Sequence, residues 1–137
     1  MPGDISAKTA LLKLIPLLQK SVGAQRIEFT ADEVRLPVKQ GMSLAVLVNE
    51  LVCNAIKHGG RQVGLRLLVA EGDVTLEVTD DGPGFVLPFV PKKGTTGIDL
   101  VETLSRVDLS GTVTFGNLPE GGGQVRITFP APTSKVA

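Results

Sequence analysis

Apolar side chains recur along the chain with two periods, which divide it into helices and strands. They repeat at helical spacing over residues 7–22, over residues 98–107 and, most regularly, over residues 38–58, which a pair of glycines follows. They alternate as in a strand in the stretches QRIEFTA, QVGLRLLVA, DVTLEVTD, GTVTFGN and QVRITFP. The pattern therefore predicts three helices and five strands.

The order of these elements predicts the class of fold. A helix and a strand come first, then a helix, two strands joined by a short hairpin, a loop, a helix and two final strands. The loop covers residues 82–96, which are rich in glycine, proline and lysine and show no period. This order favours a two-layer α/β sandwich with antiparallel neighbours and helices on one face. We expect residues 1–137 to be one domain with an ordered core over about 6–130.

Composition indicates which kinds of partner and which cellular compartment suit the protein. Lys plus Arg and Asp plus Glu both total 14, so no net charge attracts nucleic acid or favours direct contact with a membrane. No apolar run reaches the roughly 20 residues of a membrane span. The single cysteine, Cys53, cannot form an internal disulfide, which favours a reducing, cytoplasmic location. Because Cys53 lies in an apolar helical stretch, we expect a core side chain.

A polar flank of the second predicted helix is the first candidate for chemistry. At about 100° per residue, Glu50, Asn54 and Lys57 lie together beside the apolar face, with His58 at their border. One interpretation is a solvated flank, with Lys57 near the negative end of the helix. The other is a set of oxygen ligands for Mg²⁺ with a cation for phosphate. His58 alone is more typical of capping or packing.

The stretch VTDDGPGF is the second candidate. The strand period of two turns Asp80 toward the core and Asp81 outward. A carboxylate facing the core is costly without a hydrogen bond, so Asp80 needs a donor. Gly82 and Gly84 let the backbone approach a flat ligand closely, and an aspartate that accepts from an exocyclic amine suits adenine. The alternative is an ordinary turn.

The stretch KKGTTGIDLVETL is the third candidate. Residues 94–97 lead directly into a predicted helix, whose free N–H groups at the positive end can bind phosphate. Lys92 and Lys93 would screen the anion. The alternative is a threonine N-cap on a plain surface helix.

Taken in order, NELVCNAIKHGG, VTDDGPGF, GTTGIDLV and GGGQVRITFP resemble the N box, G1 box, G2 box and final glycine-containing strand of a known family. This family comprises the catalytic ATP-binding domains of bacterial sensor histidine kinases, within the gyrase/heat-shock-protein-90/kinase/mismatch-repair ATPase superfamily. The resemblance covers residues from about 10 to 130. It implies an α+β sandwich of the Bergerat type, with a mixed, mostly antiparallel sheet and about three helices on one face.

The resemblance implies a role for each residue of the helical flank. Asn54 would coordinate Mg²⁺, and Glu50 would help to position the metal and the phosphate acceptor. Lys57 would contact phosphate, and His58 would support the nucleotide. Glu50, Asn54 and Lys57 are thus the implied catalytic residues.

The same resemblance implies the nucleotide contacts. Asp80 would accept from the adenine amino group. The further implied contacts, glycines beside adenine and a loop against the phosphates, are Gly82, Gly84, Thr95, Thr96 and Gly97. Thr95 departs from the family pattern, which usually has Gly or Ser there, and the loop before it is short.

The implied function is to bind Mg·ATP and donate the γ-phosphoryl group to a histidine. Because His58 is the sole histidine and belongs to the nucleotide motif, the acceptor would lie on a dimerisation domain in a longer parent chain or on a separate protein. A downstream response regulator would then receive the phosphoryl group. Two alternatives are a stand-alone serine kinase of the anti-sigma-factor type, which phosphorylates an antagonist protein, and a degenerate module that binds nucleotide or protein without catalysis.

Overall fold

The computed structural model describes residues 4–23, 25–57, 60–85 and 96–132. Its elements in chain order are β1 (Asp4–Ser6), α1 (Ala7–Val22), β2 (Arg26–Ala31), β3 (Arg35–Pro37), α2 (Val38–Lys57), β4 (Gln62–Ala70), β5 (Asp73–Asp80), α3 (Thr96–Thr103), a π-helical turn (Leu104–Asp108), β6 (Thr112–Asn117) and β7 (Gly123–Pro130). The three predicted helices and five predicted strands are present. The short strands β1 and β3 were not predicted.

Five strands form one sheet in the order β2-β4-β5-β7-β6. β2 and β4 run parallel, and the other neighbouring pairs are antiparallel. The predicted hairpin joins β4 to β5 through Glu71 and Gly72, whose φ angles of 52° and 82° are those of a tight two-residue turn. The mixed, mostly antiparallel sheet is therefore confirmed.

One hydrophobic core lies between the sheet and the helices. Alternate positions of β4, β5 and β7 pack against the apolar faces of α1 and α2 in a single cluster that extends from Ala7 to Phe129. On the opposite face of the sheet, Glu77 is buried between Arg66 (3.1 Å) and Arg126 (2.7 Å). The two faces thus differ in character, as the predicted two-layer sandwich requires.

The first helix has the predicted bounds, whereas the other two differ in detail. Prediction extended the second helix to His58, but α2 ends at Lys57 and His58 lies outside the described residues. α3 begins two residues earlier than predicted and passes into the π-helical turn, in which Leu109 N–H donates to Leu104 C=O at 3.1 Å. Ser43 Oγ donates to Asp108 Oδ2 at 2.6 Å and ties this turn to α2.

The prediction that Cys53 is a core side chain is wrong, because its side chain is exposed. The apolar stripe of α2 includes Leu44, and Cys53 follows nine residues later, about 180° around the helix. It therefore points away from the core despite its apolar neighbours in sequence. Within the described ranges, no helix has both the length and the apolar character needed to cross a bilayer.

Candidate functional site

The C-terminal end of α2 and the end of β5 meet at one end of the sandwich. Gly60 N–H donates to Ala55 C=O at 3.0 Å, which ends the helix and turns the chain into β4. A Cβ atom at Gly60 would lie 2.8 Å from Ala55 O and 3.1 Å from Asp80 Cβ. Position 60 therefore has no room for a side chain, and the end of the helix abuts Asp80.

Asp80 is held by backbone N–H groups from two loops. Its Oδ1 accepts from Gly82 N at 2.8 Å and from Gly123 N at 3.2 Å. Asp80 is partly buried, and these N–H groups are the hydrogen-bond donors that the sequence predicted it would need. In the part of the chain that the structure describes, Oδ2 accepts no hydrogen bond. The carboxylate is thus fixed at one oxygen and available at the other.

The glycines at the start of β7 were predicted as a motif without individual roles. Gly122 has a φ of 103°, and a Cβ atom there would overlap the carbonyl oxygen of Asp80. A Cβ atom at Gly123 would lie 3.0 Å from Asp80 Oδ2. The close approach of β5 to this turn therefore depends on both residues. The run GGG in the sequence was the signal for it.

Asp81 points away from Asp80, as predicted, and is exposed. Its Oδ1 accepts from Arg61 N at 2.7 Å and from Gln62 N at 3.0 Å, so it anchors the start of β4. The N–H groups of Gln62 and Arg61 favour the ionised form and lower the pKa of the Asp81 carboxyl below its ordinary value of 3.8.

We expect Asp81→Ala to lower the free energy of unfolding at pH 7 and to lose this effect in acid. A depressed folded-state pKa contributes stability above the ordinary pKa of 3.8, and this stability is lost as the pH falls through the folded-state value. Urea unfolding at pH 7 and near pH 3 measures the difference between variant and unmodified chain. Asp73→Ala, at the other end of the same hairpin, is the control. A difference that is the same at both pH values would contradict the prediction.

The predicted flank of α2 lies beside this junction. Asn54 and Glu50 are half-buried one turn apart, and Lys57 is exposed in the last turn of the helix. The Asn54 side-chain nitrogen is buried and has no hydrogen-bond partner within the described residues. A buried donor without a partner is uncommon and costly in native proteins, so this position suits an acceptor atom such as a phosphate oxygen.

These residues fit a Mg²⁺ site completed by phosphate. The described residues contain no group of three or more His, Cys, Asp or Glu side chains that would form a complete protein cage. Mg²⁺ usually takes only one or two protein oxygens and shares the rest with water and phosphates. The Asn54 amide and the Glu50 carboxylate can each present an oxygen to the cation, while Asn54 Nδ2, which has no partner within the described residues, can donate to a phosphate oxygen.

The structure describes some of the remaining predicted residues and not others. Thr96 and Gly97 open α3, which places a helix start where the phosphate-binding motif was predicted. Gly84 has a φ of 85°, so its freedom from a side chain is used. His58, Thr95 and the lysines at 92 and 93 lie outside the described residues.

This chain is similar to known proteins in both sequence and fold. Residues 39–133 match the family HATPase_c, described as histidine kinase-, DNA gyrase B-, and HSP90-like ATPase. The signal transduction histidine-protein kinase AfsQ2 of Streptomyces coelicolor is 31% identical over 77% of this chain and 24% of its own length. The sensor histidine kinase component HK1 of Mycobacterium tuberculosis is 24% identical over 88% of this chain and 83% of its own length.

Solved structures give the same result. The blue-light activated histidine kinase of Erythrobacter litoralis EL346 has a TM-score of 0.80 at 26% identity and covers 96% of this chain, which spans 47% of that protein. The ATP binding domain of PrrB from Mycobacterium tuberculosis has a TM-score of 0.79 at 19% identity, covering 95% and 97% of the two chains, and supports the fold alone. The resemblance drawn from the four motifs is confirmed, and the chain belongs to the family of histidine kinase-, DNA gyrase B-, and HSP90-like ATPases.

Proposed function

We propose that the protein binds Mg·ATP and donates the γ-phosphoryl group to a histidine on a dimerisation and phosphoacceptor domain. That domain belongs to a longer parent chain or to a separate protein, and a response regulator acts downstream. The main support is Asp80, which two glycine N–H groups hold at Oδ1 while Oδ2 has no donor in the described structure. A fixed carboxylate oxygen of this kind is an acceptor for the exocyclic amine of adenine.

The adenine end of the proposed site lies at the end of β5 and the start of β7, around Asp80 and Gly123. Gly82 and Gly84 carry no side chains, so a flat ring can approach the backbone closely at these two positions. Asp80 then distinguishes adenine from purines that lack the amine. This arrangement gives specificity for the base through one hydrogen bond whose acceptor is already in place.

The phosphate end lies along the flank of α2. Asn54 and Glu50 would hold Mg²⁺, which neutralises charge on the phosphate oxygens when it is bound. Lys57 would contact a phosphate, and the start of α3 at Thr96 and Gly97 would present backbone N–H groups to another. His58 and Thr95 are assigned to the nucleotide by sequence. The protein contributes by positioning and by charge, without a covalent intermediate.

We propose one domain over residues 1–137 that acts in the bacterial cytoplasm, without nucleic-acid or direct membrane contact. The single core from Ala7 to Phe129 supports one domain. The balance of 14 basic and 14 acidic residues supports the absence of polyanionic partners.

Calorimetric titration with a non-hydrolysable ATP analogue, with and without Mg²⁺, tests nucleotide binding. We expect binding that Mg²⁺ strengthens. ATP labelled at the γ-phosphate, supplied with candidate dimerisation domains and candidate antagonist proteins, then tests transfer. We expect an acid-labile, alkali-stable product, as phosphohistidine is. An acid-stable phosphoserine would instead support the serine-kinase alternative, and no nucleotide binding would support the non-catalytic one.

A further inference from the structure

Asn117, the last residue of β6, uses its side chain to hold the backbone of a single distant residue. Its Oδ1 accepts from Phe85 N at 2.7 Å, and its Nδ2 donates to Phe85 O at 2.8 Å. One amide therefore satisfies both backbone groups of Phe85, much as a neighbouring strand would. We infer that Asn117 is a positioning residue for the adenine pocket. This inference rests on the proposed function.

The segment that Asn117 holds begins at Asp80. Residues 82–85 follow after Asp81 and have the sequence Gly-Pro-Gly-Phe. Their first N–H group, at Gly82, is bound to Asp80 Oδ1 at 2.8 Å. Asn117 fixes the other end of the segment. Residues 82–85, which form one wall of the proposed adenine pocket, are thus held at one end by Asp80 and at the other by Asn117.

The fit between Asn117 and this segment is close. A Cβ atom at Gly84 would lie 2.6 Å from Asn117 Oδ1, so the backbone passes directly against the amide. The Phe85 ring packs edge-on against Phe115, with ring centroids 5.7 Å apart. Phe115 lies two residues before Asn117 on the same strand. The backbone and the ring of Phe85 are therefore both held by residues of β6.

The same strand also reaches the second donor to Asp80. Asn117 is paired in the β6–β7 ladder with Gly123, whose N–H donates to Asp80 Oδ1 at 3.2 Å. The Phe85 ring would lie 3.0 Å from a Cβ atom at Gly123. Asn117 thus joins the two backbone segments that orient the Asp80 carboxylate. Loss of the Asn117 amide should misalign the Asp80 carboxylate with respect to the base. It should not disturb the residues of α2 that are proposed to bind Mg²⁺ and phosphate.

A purely structural clamp predicts a different outcome. If Asn117 only stabilises the fold, its loss lowers the melting temperature and affects all nucleotides alike. If it aligns Asp80, its loss reduces the preference for a purine that carries the exocyclic amine. ADP and IDP differ at this group, since IDP has a carbonyl oxygen in place of the amine. Their affinity ratio therefore separates the two roles.

The test is calorimetric titration of the unmodified chain, Asn117→Ala and Asn117→Asp with ADP and IDP, with and without Mg²⁺. We expect Asn117→Ala to weaken ADP binding about tenfold and to reduce the ADP-to-IDP affinity ratio, as loss of a hydrogen-bonded acceptor alignment does. The relative gain in affinity from Mg²⁺ should be unchanged. Asn117→Asp retains the acceptor for Phe85 N–H but replaces the donor to Phe85 O by a carboxylate oxygen, which the carbonyl oxygen repels, so it should also reduce the ratio.

Thr112→Ala, at the exposed first position of the same strand, is the control and should match the unmodified chain. An unchanged ADP-to-IDP ratio in Asn117→Ala overturns the inference, whether both affinities stay the same or fall together. If Asn117→Ala does not fold, the ratio in Asn117→Asp decides by the same criterion. If the unmodified chain binds neither nucleotide, the proposed function fails and this inference fails with it.

Discussion

Replacing Asp80 by asparagine is expected to weaken ADP binding by about 30- to 100-fold, the effect of a lost charged hydrogen bond and a new mismatch. Gly82 and Gly123 both donate to Oδ1, so the substituted amide places its oxygen there. Its NH₂ group then occupies the position of Oδ2 and faces the amine of adenine, donor to donor. The shape of the side chain hardly changes, and the loss comes from hydrogen-bond polarity.

The same geometry predicts that Asp80→Asn changes the purine preference. IDP carries an acceptor oxygen where ADP carries the amine, so the substituted NH₂ group can donate to it. IDP binding should therefore weaken less than ADP binding or become stronger. Calorimetric titration with both nucleotides measures this change, and Asp73→Asn, at the start of β5, is the control. Equal losses for ADP and IDP would show that Asp80 does not read the base.

Local sequence signals were sufficient for the elements and for much of the site. Gly23 and a regular apolar face gave the bounds of α1, and the alternation along β5 placed Asp80 inward and Asp81 outward. Each of these features depends on residues within a few positions. Cys53 was misassigned although its helical angle, about 180° from Leu44, was available from the sequence.

Contacts between distant residues had no such signal. Asn117 and Phe85 are 32 residues apart, and Gly123 and Asp80 are 43 apart. An asparagine at a strand end is typical of turns, so nothing in its neighbourhood indicates that it holds another loop. Asn54 was predicted as a metal ligand, but only the packed helix shows that its side-chain nitrogen is buried without a partner among the described residues.

Replacing Asn54 by alanine is expected to separate metal binding from stability. The Asn54 side-chain nitrogen makes no hydrogen bond within the described residues. Truncation of the side chain therefore removes an unsatisfied nitrogen and breaks no hydrogen bond of that nitrogen. The free energy of unfolding should change by no more than about 1 kcal/mol. The gain in nucleotide affinity from Mg²⁺ should disappear, and phosphoryl transfer should fall by about 100-fold, since charge neutralisation by the metal contributes several kcal/mol.

The measurements for Asn54→Ala are urea unfolding and nucleotide titration over a range of Mg²⁺ concentrations. Asn49→Ala, an exposed asparagine on the same helix, is the control and should retain the full response to Mg²⁺. A variant that is much less stable would show that Asn54 has a structural partner. A variant that is stable and still responds to Mg²⁺ would remove Asn54 from the proposed metal site and leave Glu50 as the candidate ligand. Because Asp80 lies on β5 and Asn54 on α2, the ADP-to-IDP ratio should be the same in Asn54→Ala as in the unmodified chain.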